Sequence, residues 1–296
     1  MQVLKNFILF IGILCTAVPV LADEFLILQS RRDRVSTELC TNVTKTVPVT
    51  TRVVILGDYA EVDVARLIRE EQPSVILAIG EPAFKSASKV RGIPVVAVMA
   101  LSLGEKRNIP ANVTGIDVRI DPARYMTLFK SLGLARIGVE YDPARSGVYL
   151  TRAQLAATQA GVELVLRPVK NPREVAKGLE SLKGSASDGL WIVPDPTTVT
   201  SLNMEADFNF SIEQKKPVVS YSKEHVRQGA AVSLNLDWTR MGFQAGDMVR
   251  RLLDGATPRE IPLQSPQSFS LLSNEKVLKH VGITARLDKL FPPPQR

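Results

Sequence analysis

The sequence predicts an α/β protein made of two lobes, each a doubly wound parallel sheet with helices on its faces. Short runs of Val, Ile and Leu alternate with helical patterns, and such near-continuous apolar runs are typical of parallel strands covered on both faces. About five runs precede residue 119 and about five follow residue 135, which is more than one compact sheet usually holds. A single large domain is the alternative that these runs leave open.

Strands are predicted wherever a short aliphatic run stands between turn residues. The first series is Phe25–Leu28, Arg52–Leu56, Val75–Ile79, Pro94–Val98 and the weaker Val113–Val118. The second series is Arg136–Glu140, Glu163–Val169, Gly189–Val193, Pro217–Tyr221 and Ala231–Leu234. Because the two series resemble each other, each is expected to form a sheet of its own.

Helices are predicted between these runs from apolar spacing and from residues that start or stop a helix. Asn171-Pro172, for example, supplies a capping residue and a proline at the first helical position. The predicted helices are Val62–Glu71, Val148–Ala160, Pro172–Leu182, Leu202–Gln214 and Trp238–Leu253. The last helix follows the second series of strands, so we expect it and the tail to return across the lobes.

Residues 1–22 have the pattern of a secretory signal peptide, with cleavage expected after Ala22. An apolar run at Phe7–Leu14 leads to small or modest residues before the acidic pair Asp23-Glu24. A membrane anchor is the alternative, but the run is too short to span a bilayer and meets Pro19. The sequence therefore predicts export to the periplasm.

Cysteine usage and charge further narrow the class of protein that this sequence can encode. Export would remove Cys15 and leave Cys40 as the only cysteine, so no intrachain disulfide is expected and stability must come from a core. The 296-residue chain has a formal net charge of +7, but its Lys and Arg are scattered. A nucleic-acid groove needs clustered basic residues and stacking rings, so nucleic acid is not an expected partner.

The sequence lacks the common signatures of catalysis, nucleotide binding and zinc binding. It has no G-x-x-x-x-G-K-[ST] phosphate loop, no G-x-G-x-x-G after a strand and no G-x-S-x-G nucleophile elbow. His225 and His280 are the only histidines and lie far apart, which excludes an H-E-x-x-H zinc site. His225 stands in a polar stretch and is expected to be exposed. No catalytic residue, metal ligand or cofactor is predicted.

Polar residues follow the predicted strands at the edge where open α/β sheets bind ligands. In the first series the candidates are Ser30, Gly80, Glu81, Pro82 and Ala83. Gly80 lets the backbone approach a ligand closely, and Pro82 begins a helix whose next amides are expected to be free. Glu81 would pair with an ammonium group, or would be a solvated turn residue.

In the second series the candidates are Tyr141, Asp195 and Tyr221, followed by Asp237. Prolines on both sides restrict the backbone of Asp195, and a rigidly held carboxylate can receive an amine at little ordering cost. Helix capping is the alternative for Asp195, and filling the seam between the lobes is the alternative for Tyr221. Together these groups suit a small polar or zwitterionic ligand with an aromatic or amphipathic body.

Several stretches, in order along the chain, are similar to the substrate-binding proteins of ABC transporters, in the group that includes tryptophan- and tyrosine-type binders. They include SVILAIGEPAFKSASKVRGIPVVAV at 74–98, RIGVEYDP at 136–143, GLWIVPDPTTVTS at 189–201 and GAAVSLNLDWTRMGFQAGDMVRRLLDGATP at 229–258. This resemblance implies the type I periplasmic binding-protein fold, in which a hinged cleft between two lobes closes on a ligand.

The resemblance also implies lobe boundaries and binding residues. The first lobe would comprise 23–118 plus 236–258, and the second lobe 119–235 plus 259–296. Carried over by position, the resemblance assigns ligand contacts to Ser30, Glu81, Pro82, Ala83, Asp195, Tyr221 and Asp237.

The expected function is that of a periplasmic solute-binding protein rather than an enzyme. It would capture a small molecule, an amino acid or a related aromatic or zwitterionic compound, and deliver it to an inner-membrane ABC permease. A sensory module that docks on a membrane receptor or kinase needs the same cleft and is one alternative. An exported enzyme with carboxylate chemistry around Asp195 and Glu81 is another. The protein is expected to be a monomer.

Overall fold

A computed structural model gives the structure of the chain and describes residues 25–60, 62–106, 108–285, 287, 290 and 291. The expected signal peptide and its cleavage site lie outside the described residues. Among the helices of the described ranges, none is both long enough and apolar enough to cross a membrane.

Strands and helices alternate along the described chain. The strands are β1 Phe25–Gln29, β2 Thr51–Ile55, β3 Val75–Ile79, β4 Val95–Val98, β5 Val113–Gly115, β6 Arg136–Tyr141, β7 Glu163–Pro168, β8 Gly189–Trp191, β9 Val218–Ser220, β10 Val232–Leu236 and β11 Phe269–Ser273. The α-helices are α1 Arg34–Thr46, α2 Val64–Glu71, α3 Glu81–Ala87, α4 Pro122–Ser131, α5 Pro143–Ala160, α6 Val175–Lys183, α7 Ser201–Gln214, α8 Lys223–Gln228, α9 Trp238–Leu253 and α10 Glu275–His280.

The strands form two separate sheets, which confirms the predicted fold class. The first is parallel with the order β2-β1-β3-β4-β5. The second has the order β11-β10-β9-β8-β6-β7 and is parallel except for β11, which runs antiparallel to β10. Every residue of β1 and β3 is buried, because apolar clusters cover both faces of the first sheet.

The chain crosses between the lobes at several places. It leaves the first sheet after β5 and enters the second lobe at α4, whose apolar side packs with β6 and β8. It crosses back between β10 and α9. The packing of Met241 and Ala245 of α9 with Leu39 and Val43 of α1 on the first sheet shows this crossing. Ile261 packs in the same cluster, and Gln264 pairs with Ile116, the residue after β5. The chain therefore returns to the second sheet, at β11, only after Gln264.

The start of α5 and the whole of α4 were not predicted, and both have the same cause. α5 begins at Pro143 rather than Val148, because the Asp142 carboxylate accepts the Ala144 amide at 2.8 Å and Pro143 suits the first helical turn. Asp121 caps α4 in the same way, accepting the Ala123 amide at 2.9 Å. The same Asp-Pro pair therefore starts both helices.

An aromatic cluster forms the centre of the second lobe. Trp191 is buried on β8, and its ring lies 4.7 Å from Tyr125, 5.5 Å from Phe129 and 5.9 Å from Tyr149. Tilted and edge-on pairs at these centroid distances are favourable beyond the area that they bury. The cluster joins α4, α5 and β8 into one unit.

The second lobe also contains a buried pair of carboxyl groups, Glu140 of β6 and Asp207 of α7. Oε1 of Glu140 and Oδ1 of Asp207 have no hydrogen-bond partner among the described residues. Glu140 packs against Gly178, where a Cβ would come within 1.8 Å of its Oε1. Burial raises the pKa of Glu140 to about 9, with a further contribution from Asp207, and burial raises the pKa of Asp207 to about 8. Both carboxyl groups are therefore expected to be neutral in the folded lobe at pH 7.

This pair predicts that alkaline pH weakens the second lobe. Because both pKa values are higher in the folded chain than in the unfolded chain, their stabilising effect is complete below about pH 4 and is lost as the pH rises through 8 to 9. We expect the free energy of unfolding to fall by more than about 1.4 kcal/mol between pH 5 and pH 9, measured by urea titration.

The variant Glu140→Gln tests this prediction, because an amide keeps the shape and cannot ionise. We expect it to show a smaller loss of stability between pH 5 and pH 9 than the wild type. Asp254→Asn, at an exposed position after α9, is the matched control and should follow the wild type. Equal pH dependence of Glu140→Gln and the wild type would contradict the prediction.

Candidate functional site

A cleft of about 650 Å³ lies between the two lobes, next to the crossings of the chain. Met99 and Leu101 line it from the loop after β4, and Val118 lines it from the first crossing. The opposite wall comes from the segment 194–196 after β8 and the segment 221–223 after β9. The carboxyl ends of parallel strands therefore form this wall, as expected for a ligand site in an open α/β sheet.

The floor of the cleft is formed by the second crossing and by β11. Leu236 and Trp238 stand on either side of the crossing, and Ser270, Leu271 and Leu272 come from β11. Aliphatic and aromatic side chains dominate this lining. A mostly apolar wall with a few placed polar groups is the usual composition of a small-molecule site.

Asn235 lines the cleft and, within the described part of the chain, carries an unpaired acceptor atom. Its Nδ2 donates to Ser233 Oγ at 2.9 Å, whereas its Oδ1 is buried and has no partner among the described residues. Ser222 and the exposed Lys223 also line the cleft. A ligand can therefore find a hydroxyl and one cationic side chain on these walls.

Asp195 is buried, and both of its carboxylate oxygens accept hydrogen bonds from the protein. Oδ2 accepts the Asp142 amide at 2.8 Å and the Ser146 hydroxyl, and Oδ1 accepts the Thr197 amide at 2.8 Å. Thr197 Oγ1 in turn donates to Asp142 Oδ2 at 2.7 Å. Asp195 thus ties the loop after β8 to the start of α5, and it fixes the cleft wall on which it lies.

Tyr221 lines the cleft beside His225, and their rings meet edge-on at 5.0 Å. Burial raises the pKa of Tyr221 to about 12, and the negative charge of Asp195 adds to the shift. The phenol therefore keeps its proton at neutral pH and can donate a hydrogen bond.

The expectation that His225 is exposed is wrong. Its ring is buried, and its Nδ1 forms a hydrogen bond with Ser220 Oγ. The reason is that α8 turns His225 and Val226 inward, with Phe208 of α7 lying 6.4 Å from the imidazole centroid. Burial lowers the pKa of His225, which favours the neutral ring.

The first-lobe candidates form one connected group at the ends of β1 and β3. Ser30 Oγ donates to the Ile79 carbonyl at 2.8 Å and accepts the Ala83 amide at 3.0 Å. The Ala83 amide, which was expected to be free, is therefore occupied. Gly80 has a φ of 92°, and a Cβ there would lie 2.7 Å from Ser30 Oγ, so this position requires glycine.

Glu81 is held by neighbouring protein groups as well. Its Oε2 accepts the Ser102 amide at 3.1 Å, and its Oε1 lies 3.6 Å from Lys85 Nζ. Ser102 follows Leu101 of the cleft wall, so Glu81 links the start of α3 to that wall. Pro82 is exposed at the start of the helix.

The structure therefore brings together only part of the predicted set at the cleft. Asp195 and Tyr221 line it, whereas the group 80–83 and Ser30 lie outside this lining. Tyr141 is half-buried against the second-lobe core. Asp237 caps α9, accepting the Arg240 amide at 3.0 Å and the Ser268 hydroxyl at 3.2 Å.

Sequence reasoning missed Met99, Leu101 and Trp238 as cleft residues. One sequence feature could have identified Trp238: it directly follows Asp237, which caps α9 at a crossing between the lobes. Met99 and Leu101 stand in a loop whose position depends on the whole first sheet, so no local pattern identifies them. Met99 has a φ of 58°, which is uncommon for a side chain of this size.

The described residues contain no group of three His, Cys, Asp or Glu side chains placed to hold a metal ion. Cys40 is half-buried on α1, and burial raises the pKa of its thiol. A raised pKa disfavours the reactive thiolate form.

Comparison with known proteins identifies relatives of the same architecture. The chain is 23% identical over 220 residues to a tyrosine-binding protein of Clostridioides difficile, which covers 71% of this chain and 63% of that protein's length. A ligand-free, open substrate-binding protein from Clostridium difficile has a TM-score of 0.69 at 19% identity, covering 90% of this chain and 97% of that one.

A second solved structure, from Streptococcus pneumonia in complex with L-Trp, has a TM-score of 0.62 at 21% identity and covers 92% of this chain and 99% of that one. At these identities the solved structures establish a shared fold. The family model for ABC transporter substrate binding proteins matches residues 57–291. Because this match covers most of the chain, from just after β2 through the whole second sheet, the chain belongs to the ABC transporter substrate-binding protein family.

Proposed function

We propose that this chain is a periplasmic solute-binding protein. It captures an amino acid, or a related aromatic or zwitterionic compound, between its lobes and delivers it to an inner-membrane ABC permease. It acts as a monomer without catalysing a reaction on the ligand. The observation that carries the proposal is the apolar and aromatic cleft between two α/β lobes, with Asp195, Tyr221 and Asn235 on its walls.

Two further observations support the ligand class. The relative from C. difficile is named for tyrosine binding, and the pneumococcal structure contains L-Trp. In this chain Trp238 and Tyr221 offer ring surfaces for an aromatic side chain, and the Asn235 amide lies among the same lining residues.

The predicted residues divide between the lobes in this proposal. The lobes comprise 23–118 plus 236–258 and 119–235 plus 259–296. On closure the group at Ser30 and 80–83 approaches the ligand from the first lobe, while Asp195 and Tyr221 hold it from the second lobe. Tyr141 and Asp237 complete the proposed contact set, at the end of β6 and the start of α9.

The first prediction of this proposal is stabilisation by free amino acids. A ligand that binds only the folded chain adds about 2.7 kcal/mol to the free energy of unfolding at 100 times its dissociation constant. We expect L-tyrosine or L-tryptophan to raise the melting temperature of the purified protein in a thermal-shift panel, with glucose as the control. Unchanged melting with every amino acid and aromatic acid of the panel would contradict the proposal.

A second prediction concerns the aromatic floor of the cleft. Trp238→Ala removes the largest ring surface there, so we expect about tenfold weaker binding of the most stabilising amino acid, which corresponds to about 1.4 kcal/mol. Isothermal titration calorimetry measures the affinity.

Phe243→Ala is the matched control for this variant. Phe243 lies on the same helix and is partly exposed, but it lies outside the cleft lining. It should bind the amino acid like the wild type. If both variants bind equally well, Trp238 has no part in ligand capture.

A further inference from the structure

A buried ionic network lies at the first crossing between the lobes, and Arg119 is its centre. Arg119 is 1% exposed although its side chain carries a charge. A buried charge is stable only when it is paired and hydrogen-bonded. The partners of Arg119 therefore show which segments of the chain this residue holds together.

Arg119 contacts both sides of the crossing. Its Nη1 donates to the Leu101 carbonyl at 3.0 Å and lies 3.5 Å from Glu105 Oε1 and 3.4 Å from Asp117 Oδ1. Its Nη2 donates to the Arg145 carbonyl at 3.0 Å. Leu101 and Glu105 follow β4 of the first lobe, whereas Arg145 lies in α5 of the second lobe, so one guanidinium bridges the two lobes.

Two carboxylates, those of Glu105 and Asp117, add further contacts between the lobes. Glu105 accepts the Val148 amide at 2.8 Å and the Tyr149 amide at 3.2 Å, both in α5. Asp117 Oδ2 pairs with Arg152 Nη2 at 3.0 Å on the next turns of the same helix. The Asp117 carboxylate fits because position 104 is glycine, where a Cβ would lie 2.1 Å from it. The first-lobe loop 99–106 is thus fixed along α5.

Both ends of this network reach the cleft. Leu101, whose carbonyl Arg119 holds, lines the first-lobe wall. Ser146, which follows the Arg145 carbonyl, donates to Asp195 on the second-lobe wall. The spacing between the walls therefore depends on the same contacts that join loop 99–106 to α5.

We propose that Arg119 is the positioning residue that fixes the two cleft walls at this wide spacing and thereby sets the equilibrium between open and closed lobes. A cleft of about 650 Å³ is larger than one amino acid, so capture requires the walls to approach each other. Contacts that stabilise the wide spacing oppose this approach, and the affinity for a ligand falls with the fraction of closed chains. The inference rests on the proposed capture function for its effect on ligand binding, but its effect on lobe spacing is independent of any ligand.

The variant Arg119→Lys tests the proposal. Lysine keeps the positive charge between Glu105 and Asp117, but one ammonium group cannot donate to the carbonyls of Leu101 and Arg145 in the fixed fork of a guanidinium. We expect a smaller radius of gyration by small-angle X-ray scattering, without added ligand, than for the wild type. Glu105→Gln, which loses the charge facing Arg119 but keeps the side-chain length, should change it in the same direction.

Affinity provides the second readout. With L-tyrosine and L-tryptophan as probes, we expect Arg119→Lys to bind the active probe about fivefold tighter or more, because a coupling of this size is common between linked equilibria. Arg136→Lys is the matched control: Arg136 pairs with Glu163 at the surface of the second lobe, and this variant should match the wild type in both measurements.

The outcomes separate the two proposals. If the wild type binds neither probe, L-tyrosine and L-tryptophan are excluded as its ligands, while the scattering comparison still decides the role of Arg119. An unchanged or larger radius of gyration in folded Arg119→Lys overturns the role of Arg119. Weaker or equal binding of an active probe by this variant overturns it as well.

Discussion

The fold depends on the need of each parallel sheet for apolar cover on both faces. The first sheet obtains one face from α2 and α3 but obtains the other only when α9 returns to pack beside α1. Because α9 follows β10 of the second sheet, the chain must cross between lobes to complete the first one. The crossings place Val118, Leu236 and Trp238 at the cleft. The same packing requirement therefore produces both the crossings and the cleft beside them.

Much of this architecture could be predicted from the sequence because buried parallel strands have a clear apolar signature. The strands from β1 to β10 were predicted with bounds shifted by a few residues. The edge strand β11 was missed, since none of its residues is fully buried and its pairing to β10 is antiparallel. This segment forms a strand because it pairs with β10, and that pairing leaves no pattern in the local sequence.

The site was less predictable than the fold. Strand ends identified Asp195 and Tyr221, because the carboxyl edge of a parallel sheet is fixed by strand direction. Met99 and Leu101 lie in a loop and Trp238 lies at a crossing. The position of these segments is set by tertiary packing, so these three residues were not predicted as cleft residues. His225 was misplaced because the pattern of a six-residue helix does not reveal which side turns inward. Hydrogen bonding to Ser30 likewise occupies an amide that a local reading leaves free.

The sequence contains two tryptophans, and the fold gives them different surroundings. Trp191 is enclosed by rings within the second lobe, while Trp238 stands at the floor of the cleft. One indole is thus surrounded by the interior of the second lobe, whereas the other borders the space between the lobes. Under the proposed capture of a ligand, the emission of Trp238 is expected to change when the cleft is occupied, whereas the emission of Trp191 is expected to change when the second lobe unfolds.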